Sequence, residues 1–179
     1  MEAVASLIKQ GKVRYAGVCN YSAEQMAEAE KTIPIVSNQI PYSMVNRGVE
    51  AETVPYCVIH DKSVLAYSPL ERGLLTGKIE PGYKFQEGDH RANHKSFSEE
   101  NIIRTNRFLD NIRPLAESKE ITLSQLVLRW TIERPGITIA LVGARNAQQA
   151  IENSKAADVK LSKREIGFIN TQLAGLINL

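Results

Sequence analysis

A chain of 179 residues, 43% hydrophobic and 23% charged, has the balance of a soluble globular domain able to bury a core, which excludes disordered and fibrous classes. Its formal net charge of +2, with basic residues scattered among acidic ones, argues against nucleic acid or an anionic membrane surface as partner. Two cysteines, Cys19 and Cys57, and no long apolar run or basic-then-apolar leader suggest a reducing, cytoplasmic setting.

Met1 to Gln10 places Val4, Leu7 and Ile8 at helical spacing, and Gly11 stops that helix. Val13 to Asn20 reads as a strand, after which Ser22 and Gln25 form a capping box opening a helix. The pattern recurs, with a strand over Ile35 to Ile40 ahead of a helical stretch from Val49 to His60. A third strand, Ser63 to Ser68, is ended by Pro69 and followed by a Gly-Leu-Leu-Thr-Gly turn at Gly73 to Gly77. Ile79 to Phe97 is polar, contains glycine, and carries Asp89, His90, Arg91 and His94; it reads as a long functional or mobile loop.

Ser98 starts a helix with Ile102, Ile103, Phe108, Leu109 and Ile112 on one stripe, interrupted near Pro114. Thr122 and Gln125 cap the next, Leu123 to Arg134, with Leu126, Val127 and Trp130 as its buried face. Ile137 to Val142 is the fourth strand. Asn146 and Gln149 cap a helix through Ala156, and Ser162 and Glu165 cap the last.

Apolar strands separated by helices call for a parallel sheet covered by helices, either doubly wound or closed into a barrel, and periodicity alone does not separate the two. Both place function at the C-terminal strand ends. Those ends offer Asn20, Gln39, Tyr67 and Ser68, and the Gly143-Ala-Arg-Asn146 junction. Amides such as Asn20 and Gln39 complement a carboxamide, and Tyr67 could stack on its ring; the alternative is that both amides only satisfy loop backbone. The junction from Gly143 to Gln149 joins a turn, the Arg145 guanidinium and a helix N-terminus, a recipe for phosphate binding whose alternative is a plain capped helix. Gly73, Gly77 and Lys78 could approach the same phosphates. A metal at Asp89, His90 and His94 is disfavoured for want of a defined ligand set. His60 reads as a cap or surface group and Cys57 as core.

Taken in order, Gly17-Val-Cys-Asn20, Asn38-Gln39, Ala66-Tyr-Ser-Pro-Leu70, Gly73 to Lys78 and Gly143-Ala-Arg-Asn146 with Gln149, Glu152 and Asn153 resemble the aldo-keto reductases. The likeness is to the branch with general-stress and potassium-channel β-subunit-like members, and it covers essentially the whole chain. It implies an α/β fold, the C-terminal half of a TIM-type β/α barrel, with four parallel strands and flanking helices matching the fifth to eighth strands of the family. The same resemblance implies NADP(H) as cofactor, and residues 1–179 as a single domain. Asn20, with Cys19 beside it, and Gln39 would hold the nicotinamide carboxamide, Tyr67 would stack on the ring, and Ser68 and Leu70 would line the pyrophosphate path. Arg145 and Gln149 would lie near the 2′-phosphate, and Glu152 and Asn153 near the adenine.

Two departures from the family pattern matter. Cys19 stands where serine is common, and a thiol is the poorer donor. The family's catalytic Asp, Tyr, Lys and His lie on its first four strands, outside the resembling segment, so Tyr15, Tyr42 or Tyr67 is not promoted to their role. The expectation is therefore a cofactor-binding half, inactive alone on its small carbonyl substrate, with an exposed inner sheet face and two unpaired strand edges. Its alternative is a non-catalytic half-barrel module that forms a homo-oligomer through those edges.

Overall fold

The computed structural model describes residues 1–176 of the chain. In order come α1 (Glu2–Lys9), β1 (Ala16–Cys19), α2 (Ala23–Glu30), β2 (Ile35–Pro41), α3 (Thr53–Ile59) and β3 (Ser63–Tyr67). These are followed by α4 (Glu99–Ser118), α5 (Leu123–Ile132), β4 (Ile139–Leu141), α6 (Ala147–Ser154) and α7 (Lys163–Ala174). The helix starts follow the capping chemistry in the sequence: Ser22 with Gln25, Thr122 with Gln125 and Ser162 with Glu165 all form reciprocal capping boxes. At α6 the Asn146 side chain accepts from the Gln149 backbone N–H, while the Gln149 side chain turns instead to the N–H of Arg145.

The four strands form one parallel sheet in the order β1-β2-β3-β4. That order has no reversal of direction among the four described strands. A doubly wound sheet reverses direction at a switch point and so puts helices on both faces; strands laid down in sequence with right-handed crossovers keep their helices on one face. Burial agrees with the second arrangement. Asn38 and Ile40 of β2 and Val64 and Ala66 of β3 are buried against helices, whereas Gln39, Leu65 and Tyr67 between them are only half-buried.

The main core lies on the helix side, where Met26, Ile40, Tyr42, Val64, Leu109, Ile112, Leu126, Trp130, Ile169 and Leu173 meet. Trp130 is fully enclosed, stacked at 6.4 Å on Tyr42 and donating its indole N–H to Asn170 at 2.9 Å. A smaller cluster of Leu74, Ile79, Phe97 and Ile102, with Phe85 against it, anchors the segment between β3 and α4.

Several local expectations are corrected. The first strand spans Ala16–Cys19 and the fourth Ile139–Leu141, each shorter than its apolar run, because strand pairing and not residue type ends a ladder. Helix α4 runs through Pro114 without interruption: the exposed proline forfeits one backbone bond, but buried Ile112 and Ala116 on either side hold the helix to the core. Ile103 leaves the buried stripe and is 48% exposed. The Val49 to His60 stretch divides into a 3-10 turn at Gly48–Glu50 and α3 from Thr53, which places Pro55 in the first helical turn where no N–H is needed. The 79–97 loop is built from short turns over its own apolar cluster, with 3-10 segments at His90–Asn93 and Lys95–Phe97.

Candidate functional site at the strand ends

The face of the sheet away from the helices carries the sequence-selected residues in register. Cys19, Gln39, Leu65 and Ile139 are cross-strand partners in one row, and Pro41, Tyr67 and Leu141 form the next row toward the C-terminal ends. At a rise of about 3.3 Å per residue, Tyr67 stands roughly 7 Å beyond the Gln39 row. Cys19 is exposed and Ile139 is 46% exposed, so the row is open to a bound group. Below it, Gly17 pairs with Ser37, whose Oγ would lie 2.3 Å from any Cβ added at Gly17. A glycine there lets the Ser37 hydroxyl lean across the strand.

Asn20, directly after β1, has a left-handed backbone with φ 58° and donates its N–H to the Gln39 carbonyl at 2.9 Å. Asparagine tolerates this conformation better than most residues. The backbones of Asn20 and Gln39 are thereby tied, while their side-chain amides make no hydrogen bond among the described residues. Asn38 behaves in the opposite way. It is fully buried on the helix side, donates Nδ2 to the Tyr21 carbonyl at 2.8 Å and accepts from the Tyr21 N–H at 3.4 Å. The backbone-satisfying role considered for Asn20 and Gln39 thus falls to Asn38, which fixes the β1–α2 corner.

After β3 the chain enters a run of unusual backbone. Ser68, Glu71, Arg72, Gly73 and Gly77 all have positive φ, from 45° at Glu71 to 99° at Gly73. Non-glycine residues hold such angles only where surrounding structure over-determines them. Here the restraints are visible. Ser43 Oγ, fully buried beyond β2, donates to the buried carboxylate of Glu71 at 3.0 Å, and the Leu70 carbonyl accepts from both Gly73 N–H (3.0 Å) and Leu75 N–H (3.2 Å). From the other side Arg91 donates to the Arg72 carbonyl at 3.2 Å. Leu70 is half-buried against the main core and Lys78 is exposed. Sequence reasoning missed the Ser43–Glu71 and Arg91–Arg72 ties, since their partners are 28 and 19 residues apart and share no motif.

At the fourth junction the backbone is held locally. Gln149 Oε1 accepts from the Arg145 N–H at 2.9 Å, Asn153 Nδ2 donates to the Gly143 carbonyl at 3.3 Å, and Gln148 donates to Glu152 at 2.9 Å. Gln125 reaches across from α5 to the Glu152 carbonyl at 2.8 Å. Gly143 and Arg145 are exposed, and the Arg145 guanidinium has no hydrogen bond or ion pair among the described residues. A cation is therefore free at the start of an eight-residue helix.

Other candidates lie apart from these ends. Tyr15 is 75% exposed, and the buried Tyr42 donates to Glu50, so burial and that carboxylate push its phenol well above the usual range. Cys57 is fully buried and its thiol is raised by burial. His60 is exposed at the end of α3 against the Tyr56 ring, and His94 Nδ1 accepts from the Ser96 N–H at 3.3 Å. Asp89 is occupied by Arg91, whose guanidinium holds that carboxyl down at about 2. No group of three or more His, Cys, Asp or Glu is placed to share a metal among the described residues.

The chain is 34% identical over 182 residues to the aldo-keto reductase YhdN of Bacillus subtilis, covering 99% of this chain and 54% of that protein. It is 33% identical over 156 residues to the NADH-specific methylglyoxal reductase of Escherichia coli, covering 87% of this chain and 47% of that one. In structure it resembles the glycerol dehydrogenase AKR11B4 of Gluconobacter oxydans, with a TM-score of 0.90 and 31% identity over 97% of this chain and 53% of that one. The chain thus spans about half the length of the relatives it matches. Residues 1–173 match the profile of the aldo/keto reductase family, and the chain belongs to that family of oxidoreductases.

Proposed function

We propose that this chain is the NADP(H)-binding half of an aldo-keto reductase β/α barrel, whose whole reduces small carbonyl compounds. The observation that carries the reading is the unspent polar chemistry at successive strand ends: the amides of Asn20 and Gln39 and the guanidinium of Arg145 have no side-chain partners among the described residues. Asn20 and Gln39 would grip the nicotinamide carboxamide, with Cys19 beside them, and Tyr67 would lie against the ring. Ser68, Leu70, Gly73 and Lys78 would follow the pyrophosphate. Arg145 and Gln149 would meet the 2′-phosphate, with Gly143, Glu152 and Asn153 around the adenosine.

The bound dinucleotide supplies the hydride, and the residues of this chain bind and orient it. Proton delivery to the carbonyl would fall to the Asp, Tyr, Lys and His that the family carries on its first four strands. On this reading the 179 residues alone bind cofactor, act in the cytoplasm with the complementary strands, and do not turn over substrate. The edges of β1 and β4, unpaired among the described residues, support a second reading, a non-catalytic module that closes by pairing with a second copy. A relative of the same family is NADH-specific by name, so the choice between the two dinucleotides rests on Arg145.

Calorimetric titration with NADPH and NADH, with and without Arg145→Ala, tests this. Micromolar NADPH binding is expected, weakened about tenfold in the variant, as the loss of a charge-assisted contact would give, with NADH little changed. A folded protein that binds neither dinucleotide would overturn the reading. Sedimentation of the same sample separates monomer from dimer, and a stable dimer would favour the module.

A further inference from the structure

Each nitrogen of the Arg91 guanidinium donates a hydrogen bond. Its Nε donates to both carboxylate oxygens of Asp89 at 3.0 and 3.1 Å, Nη2 donates to Asp89 Oδ2 at 2.6 Å, and Nη1 donates to the Arg72 carbonyl at 3.2 Å. The group also lies over the Phe85 ring at 5.4 Å. Asp89 accepts in addition from the Arg91 backbone N–H at 3.0 Å, so the acid and base are fixed in one rigid unit. With side chains only 17% and 26% exposed, this is not a loose surface pair, and a forked carboxylate contact leaves little rotational freedom.

Of the hydrogen bonds that Asp89 and Arg91 make among the described residues, the one that leaves the 79–97 loop reaches the Arg72 carbonyl, in the middle of the positive-φ run. Arg72 itself is exposed with φ 53°, a conformation that costs energy unless something outside the residue holds it. Gly73 follows at φ 99°, and a Cβ there would stand 3.7 Å from Arg91 Nη1, so the guanidinium passes over the turn.

We propose that Asp89 and Arg91 form a latch by which the 79–97 loop holds the Arg72–Gly73 turn in its left-handed conformation, making Arg91 a positioning residue for dinucleotide phosphates at Gly73. The inference rests on the cofactor reading for its functional consequence, but the latch itself is a property of the chain. Loss of the latch leaves the Leu74–Ile79–Phe97–Ile102 cluster in place, so the loop stays docked while the turn relaxes.

Hydrogen exchange on the 179-residue chain and NADPH titration, each on wild type, Arg91→Ala and Arg91→Lys, test the latch. Exchange of the Gly73 and Leu75 amides is expected to quicken about tenfold in Arg91→Ala, with amides of β2 and β3 unchanged, as in local rather than global opening. NADPH affinity should fall about tenfold if the turn is then competent in about a tenth of molecules. Arg91→Lys should resemble Arg91→Ala, because a single ammonium nitrogen lacks the planar fork whose Nε and Nη2 meet the carboxylate while Nη1 reaches the carbonyl. Unchanged Gly73 and Leu75 exchange in Arg91→Ala, or wild-type behaviour in Arg91→Lys, would overturn the latch. A freed turn with undiminished NADPH affinity would overturn the positioning role. A wild type that binds no NADPH, alongside a freed turn in the variant, would reject the cofactor reading and support the latch alone.

Discussion

Asn38 closes both backbone groups of Tyr21 with one side chain, donating to its carbonyl at 2.8 Å and accepting from its N–H at 3.4 Å. Its neighbour Gln39 points to the opposite face with its amide unengaged among the described residues. Two adjacent amides in one strand therefore differ: the first is tied into the β1–α2 corner, and the second makes no hydrogen bond among the described residues.

Asn38→Ala should lower unfolding stability by about 1–3 kcal/mol, since Tyr21 would keep a polar pair with no partner next to buried Met26. Asn38→Asp should cost at least as much at pH 7, because a carboxylate cannot donate to the Tyr21 carbonyl. Urea denaturation of the three proteins at equal concentration checks both expectations, and equal midpoints would mean the β1–α2 corner relaxes without this bond.

Gln39→Ala should change stability by less than about 0.5 kcal/mol, since no side-chain bond of the chain is lost. Under the cofactor proposal it should weaken NADPH binding about tenfold, corresponding to about one hydrogen bond to a bound amide. Paired thermal melts and titrations read the two effects apart. A large loss of stability with no loss of affinity would place Gln39 with Asn38 as a scaffold residue.

Acid should loosen the packing of α7 on the rest of the chain. The Lys119 ammonium, 2.7 Å away, and the Ser162 backbone N–H hold the Glu165 carboxyl at about 2, below its ordinary 4.5. A folded-state value below the unfolded one means the native state releases this proton more readily. The contribution is full above the unfolded value and is lost as pH falls toward 2. The stability gap between wild type and Glu165→Gln should be about 1 kcal/mol from pH 6 to 8, the pair being partly exposed, and should close between about pH 5 and 2. Denaturant melts across that range measure it; a gap independent of pH would show that the ionised carboxylate of Glu165 is not its source.

The capped helices were legible because their signals are local. Ser22, Thr122 and Ser162, each three residues before a Gln or Glu, specify a helix start through bonds within one turn. The order of strand-end residues was equally legible, since a strand followed by a helix puts its polar end in a known place. Long-range partners were not. Whether the sheet is singly or doubly wound depends on which strands pair, and β4 finds β3 across more than seventy residues, as in the Val64 N–H bond to Thr138 Oγ1. Sequence placed Asn38 and Gln39 in one motif, but only the register, with its two-residue alternation, sent one into the core and the other to the open face. Likewise Asp89 and Arg91 read as loop charges until folding brought the Arg72 carbonyl beside them. Local hydrogen bonds and side-chain spacing fix where elements begin, whereas the free energy that selects strand neighbours and restrains a left-handed turn comes from contacts between distant parts of the chain.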